Sequence, residues 1–329
     1  MPTTTVLVTG GAGYIGSHTV TRLLQQQYKV VVFDNLSTGF VEAVSPDAEF
    51  IQGDIRDRRL LSQVLGDYKV HSIIHFAAKL NVKESVQQPL EYYENNVLGL
   101  LSTLQAAQQA GVENLVFSSS SNVFGDASSE KLIDESVVKL PINPYGRSKL
   151  ICEEILKDFS RTTKLRHAIL RYFNVAGAAL DGTNGQRTGN AYHLVHVAAQ
   201  AALGKISEVD IYGSDYPTAD GTCVRDYIHI EDIAQIHILA LQYLLNGGPS
   251  QDFNCGYGRG YSVAQVLAAM QKVSQNEFHI KTAARRPGDS PWLVSDSTKL
   301  KRLLGWQAEH DDLDGICRSA LAWERRFGP

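Results

Sequence analysis

The segment Gly10-Gly11-Ala12-Gly13-Tyr14-Ile15-Gly16 constrains the fold of this chain more than any other. It follows the β-branched run Val6–Thr9 and opens the amphipathic stretch Gly16–Gln27, so it joins a strand to a helix. From Gly11 to Gly16 it satisfies G-x-G-x-x-G in that context. Glycines permit the tight turn and let backbone N–H groups approach a pyrophosphate at the helix N-terminus. Gly10, Gly13 and Gly16, with Tyr14 and Ile15 at the start of the helix, are therefore candidates for holding a dinucleotide. A tight turn without a ligand uses the same glycines, so the motif alone leaves both readings open.

Short β-branched runs alternate with longer amphipathic stretches through the first half. Strands are expected at Val30–Phe33, Phe50–Gly53, Ser72–Phe76, Leu115–Ser118 and Ala168–Tyr172. Helices are expected over Asp57–Leu65, Leu90–Ala110 and Pro144–Ser160. Apolar strands separated by helices predict an α/β fold, a doubly wound parallel (Rossmann-like) sheet covered on both faces. Ligands of such sheets sit at the carboxyl ends of the strands. Past residue 178 the rhythm changes. Asp181–Asn190 is polar and glycine-rich and reads as a surface loop. Helical patterns then recur at Tyr192–Leu203, Ile230–Leu245 and Ser262–Val273. The chain divides into residues 1–178, a dinucleotide-binding unit, and residues 179–329, a smaller C-terminal α/β lobe for substrate. Some segments of the second are expected to return to the first.

Asp34 ends the second strand 18 residues after Gly16, close to the spacing of about 20 at which an acidic residue meets the adenosine ribose. Its carboxylate suits the ribose hydroxyls and repels a 2′-phosphate. No Arg or Lys follows until Arg56, so NAD is expected rather than NADP. Asp54, after the next strand, either receives the adenine edge or caps a helix.

Tyr145 and Lys149 lie four apart at the start of a helical stretch and share one face. A free tyrosine titrates near pH ~10 and is a poor base at neutrality. A nearby ammonium favours the phenolate, as does the positive ring of NAD+. Lowering the phenol by about three pH units takes roughly 4 kcal/mol, within reach of two cations in a partly dry cleft. Ser120 follows its strand at the carboxyl edge, where its hydroxyl can bridge substrate and phenol. A packing tyrosine and a solvated lysine fit the same spacing.

Composition narrows the class. The 329 residues carry a net charge of -4 without a basic block or an acidic tail, which argues against a nucleic-acid partner. The four cysteines, Cys152, Cys223, Cys255 and Cys317, are widely spaced, so neither a disulfide framework nor a zinc knuckle is expected. No signal peptide is evident, and no apolar run reaches the ~18 residues of a membrane span. A cytoplasmic protein is expected. His71 and His75 lie four apart on a strand, ~13 Å and too far for one metal. His193 and His196 lack a third ligand nearby in sequence, so no metal is expected.

Taken together, the glycine turn, Asp34, Phe76-Ala77-Ala78, Asn95, Ser118-Ser119-Ser120, Tyr145-Gly146-Arg147-Ser148-Lys149 and Arg171-Tyr172-Phe173-Asn174 resemble the extended short-chain dehydrogenase/reductase superfamily. Within it, Ala176-Gly177-Ala178, the run Gly221 to His229 and Arg286-Pro287-Gly288-Asp289 resemble the UDP-glucose (UDP-galactose) 4-epimerases. The resemblance covers nearly the whole chain. It implies an NAD-dependent inversion at C4 of a UDP-hexose, with Ser120, Tyr145 and Lys149 catalytic and the hydride passing to NAD+ and back. Since nothing is oxidised overall, the cofactor is expected to be retained.

The resemblance extends the cofactor contacts to Asn35, Ile55, Phe76, Ala77 and Ala78, and to Asn95, Ser118 and Phe173. It also brings Tyr145 and Lys149 onto the nicotinamide ribose. For the UDP-sugar it implies Asn174, Arg225, Arg286 and Asp289, joined by Asn122, Leu194 and Tyr212. His193 occupies a substrate-loop position, though a structural histidine fits it equally. Leu293 stands at the gatekeeper position beside the sugar, which leaves N-acetylated and pentose sugars open. Related 4,6-dehydratases carry an Asp-Glu pair after the serine, where this chain has Ser121 and Asn122, so plain epimerisation is favoured. A homodimer through the two helices near Leu90–Ala110 and Pro144–Ser160 is also implied. The rival from another class is a non-catalytic NAD sensor, which has no need of all three catalytic residues.

Overall fold

Alternation along the first strand decides where the two layers of the molecule lie. In β1 (Thr5–Thr9), Val6 and Val8 pack into one apolar cluster and Leu7 into another, all fully buried. The computed structural model describes residues 4–126, 131–187, 193–286 and 288–327. Beyond β1, β2 (Lys29–Asp34) and β3 (Glu49–Gln52) extend the sheet on one side. On its other side lie β4 (Ser72–His75), β5 (Asn114–Ser120) and β6 (Arg166–Tyr172). Later strands are β7 (Asn174–Ala176), β8 (Glu208–Tyr212), β9 (Val224–His229) and β10 (Gln251–Cys255). The last are β11 (Gly260–Ser262), β12 (His279–Ala283) and β13 (Trp292–Leu293). The main sheet is seven-stranded and parallel, in the order β10-β6-β5-β4-β1-β2-β3.

Helices of the first half are α1 (Tyr14–Gln25), α2 (Arg58–Asp67), α3 (Val82–Gln87), α4 (Pro89–Tyr92), α5 (Gly99–Ala110) and α6 (Pro144–Thr162). Those of the second half are α7 (Leu194–Ala202), α8 (Ile230–Leu245), α9 (Val263–Ser274), α10 (Thr298–Leu304) and α11 (Leu313–Glu324). Val20 and Leu23 of α1 and Ile233 and Ile236 of α8 cover one face of the sheet. Leu61 and Val64 of α2, Leu100 and Leu104 of α5 and Leu156 of α6 cover the other. Both α8 and β10 come from beyond residue 178: β10 forms one edge of the main sheet and α8 covers a face of it. The remaining strands form a sheet in the order β11-β9-β13, with β7 also on β9, and a separate β12-β8 pair. Among the described residues no helix is long and apolar enough to cross a membrane.

The order reverses between β1 and β4, so their carboxyl ends open the crevice where doubly wound sheets take ligands. Two expectations need correction. The stretch expected as a helix over Leu90–Ala110 is helical throughout, but it widens from α4 into a π-helical turn at Tyr93–Leu98 before α5. Asn96 is buried in that turn: its Oδ1 accepts from the Lys79 N–H at 2.8 Å, and its Nδ2 donates to the Lys79 carbonyl and to Ser148 Oγ. Single π-turns of this kind are common at functional sites. Tyr192, expected in the next helix, and residues 188–190 of the expected loop lie outside the described residues. Strand β5 runs to Ser120, two residues past the expected end at Ser118.

Candidate active site

The turn after β1 is built for close approach. Gly10 has φ +73°, and a Cβ there would lie 2.6 Å from the Ala77 nitrogen beyond β4. A Cβ on Gly16 would lie 2.2 Å from the Gly10 carbonyl oxygen, so α1 packs directly on the turn. Gly13 is the N-cap residue of α1 and has no side chain to cap it, leaving first-turn N–H groups for an anionic ligand. These features fit a pyrophosphate. Tyr14 reaches away from the turn and donates to the Gly177 carbonyl at 2.6 Å.

Asp34 ends β2 in the crevice. Its Oδ2 accepts from the Ala12 N–H at 3.0 Å and its Oδ1 from the Leu36 N–H at 2.8 Å. Burial raises its pKa, against those two bonds. The neighbouring Asp54 does not cap a helix; Asp57 does, accepting from the Leu60 N–H. Arg56 grips Asp54 with Nε at 2.8 Å and Nη2 at 2.7 Å, and holds its pKa down to about 2. Asn35 donates to the same carboxylate at 3.2 Å. Ile55 is buried under Gly99, where a Cβ would meet its Cδ1 at 2.3 Å. Past β4, the Phe76 ring packs on His237 at 4.6 Å, and the Ala77 N–H donates to Thr9; Ala78 follows, half-buried. Asn95 lies in the π-turn and donates to Asn96.

Helix α6 brings the reactive candidates to the end of β5. Asn143 accepts from the Gly146 N–H at 2.8 Å and Pro144 occupies the first turn, which fixes where the helix starts. Tyr145 is buried close to Ser120, which favours its ionised form against the effect of burial. Lys149 Nζ donates to the Ser118 carbonyl at 2.8 Å and lies 5.0 Å from the Phe117 ring centre. Ser119 Oγ donates to Glu153 at 2.6 Å. Three turns of α6 therefore dock on three consecutive serines. Ser120 Oγ also accepts from Asn122 Nδ2 at 3.1 Å, and Ser118 Oγ pairs with the Tyr172 hydroxyl.

The electrostatics differ from the sequence expectation. Burial raises the Tyr145 phenol, opposed by Ser120, so the neighbouring lysine does not by itself make it acidic. Burial also lowers Lys149 to about 8. His75, whose Nδ1 bonds Thr9 Oγ1 at 2.9 Å, is pushed down to about 3 by burial and then by Lys149.

The remaining candidates lie on or beside the smaller sheets and at the start of α7. Phe173 precedes β7, and Asn174 opens it opposite Tyr227 of β9. Leu293 of β13 is buried beside Arg225 of β9 in register. An Arg225 nitrogen lies 3.8 Å from Asp289, whose N–H donates to the Arg286 carbonyl. The Arg286 guanidinium stacks 3.5 Å over the ring of Tyr212, the last residue of β8. His193 caps α7 ahead of Leu194; its Nδ1 contacts Gln186 at 2.6 Å, and burial lowers it to about 4.

Three further residues belong with the site although their sequence positions, taken singly, do not announce it: Asn96, Arg171 and Glu153. Arg171 puts a charge inside the apolar run Ala168–Tyr172, which requires a buried partner. That partner is Glu153, gripped by Arg171 Nε at 2.8 Å and Nη2 at 2.7 Å. Its signal was present: Tyr145, Lys149 and Glu153 keep a four-residue spacing on one helix face. Elsewhere Asp232, Glu309 and His310 bring possible ligand atoms within 4.8 Å. There Asp232 accepts from the Glu309 and His310 N–H groups and from Tyr257, which makes it a loop anchor.

Fold and site together define a doubly wound dinucleotide-type protein with a Ser–Tyr–Lys cluster at the switch-point edge. The NAD dependent epimerase/dehydratase family matches residues 6–256. A UDP-glucose 4-epimerase of Azospirillum brasilense is 48% identical over 97% of this chain and 92% of its own length. The crystal structure of UDP-glucose 4-epimerase from Brucella ovis in complex with NAD is 42% identical, with a TM-score of 0.94 over 99% of this chain and 98% of that one. The enzyme from Bifidobacterium longum, solved with NAD+ and UDP, is 36% identical with a TM-score of 0.92, over 98% of each chain. This chain belongs to the NAD dependent epimerase/dehydratase family.

Proposed function

We propose that this chain catalyses the reversible, NAD-dependent inversion at C4 of UDP-glucose and UDP-galactose through a transient 4-keto sugar. The observation that carries this reading is the meeting of Ser120, Tyr145 and Lys149 at the end of β5, in a chain of this family. Bound NAD+ would supply the hydride acceptor and donor and a positive ring. Tyr145 takes the proton of the C4 hydroxyl and gives it back when the sugar has turned over. Ser120 hydrogen-bonds the reacting oxygen, and Lys149 supplies a fixed positive charge behind the phenol.

The turn from Gly10 to Gly16, with Tyr14 and Ile15, holds the pyrophosphate through its backbone. Asp34 and Asn35 take the adenosine ribose, and Asp54 and Ile55 border the adenine. Phe76, Ala77, Ala78, Asn95, Ser118, Lys149 and Phe173 surround the nicotinamide half. Arg225 and Arg286 suit a diphosphate, while Asp289 suits ribose hydroxyls. Asn122, Asn174, His193, Leu194 and Tyr212 complete the UDP-sugar site, and Leu293 lies beside the sugar. Tight UDP and a loosely held sugar are what turning over inside the pocket requires.

In this reading residues 1–178 form the NAD domain and residues 179–329 the UDP domain, with α8 and β10 serving the first. The protein acts in the cytoplasm as a homodimer. Support for the dimer comes from exposed apolar side chains along the outer helices: Leu90 is 73% exposed, Leu98 48% and Ile151 37%. A coupled assay for UDP-glucose formed from UDP-galactose tests the activity, and no turnover by the wild type defeats it. Protein purified without added NAD is expected to carry NAD in near-stoichiometric amount; freely exchanging cofactor counts against the retained role.

A further inference from the structure

Glu153 lies one helical turn beyond Lys149 on the same face of α6, and it is wholly buried. Arg171 grips it with two nitrogens and is wholly buried too; Ser119 Oγ adds a third bond at 2.6 Å. Arg171 is shared with Asp252 on β10, which lies at the edge of solvent near Lys299. Taking such charges out of water is costly, and apolar replacements of a buried pair are often equally stable or better. The pair therefore needs a reason other than stability.

Lys149 provides one. Its direct partners, the Ser118 carbonyl and the Phe117 ring, carry no charge, and among the described residues it forms no ion pair. His75 of β4 is a neutral neighbour, Cys152 on α6 is a thiol pushed up to about 12, and Tyr172 of β6 is a phenol bound to Ser118. Against burial act first Cys152 and then Glu153; the Cys152 thiol, pushed up to about 12, is uncharged at neutral pH, which leaves Glu153, four residues on along the same helix face, as the charged group of the two.

We propose that Glu153 is a positioning residue for Lys149: clamped by Arg171 and Ser119, its carboxylate keeps the lysine charged and holds the turn of α6 that carries it. The inference rests on the reading of Lys149 as the charged partner of Tyr145. It makes the Arg171–Glu153–Asp252 chain, which spans β6, α6 and β10, part of the apparatus that fixes the charge at the reactive centre.

The test follows the Lys149 ε-carbon by NMR in protein labelled at lysine, assigned through Lys149→Met, alongside pH profiles of kcat. In Glu153→Gln the Lys149 midpoint should fall by about one pH unit, and the basic limb of kcat with it, so that turnover above both midpoints drops about tenfold. Glu153→Asp keeps the charge and should restore both curves to within about 0.3 unit of wild type. If Glu153→Gln does not fold, Glu153→Gln/Arg171→Met removes the pair together, and its Lys149 midpoint should still lie below wild type. An unmoved midpoint in either folded variant overturns the proposal. So does a Glu153→Asp midpoint as low as that of Glu153→Gln, which would make packing the cause. Full turnover in Tyr145→Phe would instead defeat the reading of the site, and the NMR titration would still report on Glu153.

Discussion

The Lys149 ammonium donates to the carbonyl of Ser118 at 2.8 Å, so the strand that ends in Ser120 also holds the lysine. Helix and strand thereby set one geometry for phenol, hydroxyl and ammonium. Lys149 is 2% exposed and Tyr145 9%, which places the proposed proton chemistry in a water-poor setting where charges act strongly.

Replacing Tyr145 by Phe removes the group proposed to carry the proton while keeping the ring that fills the site. Turnover of UDP-galactose in the coupled assay should fall by about 10²–10⁴-fold. The melting temperature should change little, since the ring that packs edge to face on Tyr92 is kept.

Activity should also decline as pH rises through about 8, the value to which burial lowers Lys149, because the proposed mechanism uses the lysine charged. A kcat profile with its basic limb well above that pH would show that another group controls it.

Gly16→Ala sets a Cβ 2.2 Å from the Gly10 carbonyl oxygen, a backbone atom with little freedom to move. The expected loss is about 1–3 kcal/mol of stability. NAD content after purification should fall as well, because the displaced atoms belong to the turn proposed to hold the pyrophosphate. Unchanged melting and cofactor content would contradict this packing.

Stability should fall steeply on acidification. Burial lowers His75 and His229 to about 3, and His167 and His237 to about 4. Each folded value lies below the unfolded ~6.5, so between those limits the unfolded chain binds more protons and gains. Stability is therefore complete above ~6.5 and lost as pH drops, by up to about 1.4 kcal/mol per pH unit for each histidine. Thermal melts across that range check the slope, and His237→Gln should flatten it.

Strong periodicity made the main sheet legible, because strands such as β1 and helices such as α1 bury side chains at the spacing their backbone dictates. The π-helical turn at Tyr93–Leu98 was not, since Asn96 within it bonds Lys79 and Ser148, partners 17 and 52 residues away. Tyr145 and Lys149 were readable from local spacing. Their electrostatics were not, because burial and the acceptor of the lysine proton are set by the tertiary fold. Arg286 could be assigned toward a diphosphate from its chemistry, but its stacking on Tyr212 needs β8 and β12 to pair.

Strand β10 has a bearing on how the molecule comes into being. Asp252, the outer anchor of Arg171, is translated after more than three-quarters of the 329 residues. A nascent chain that already contains the glycine turn, Ser120 and Tyr145 still lacks the edge that secures β6 and, through Arg171, α6. The order of synthesis thus leaves the final setting of the reactive helix to one of the late-arriving pieces of the chain.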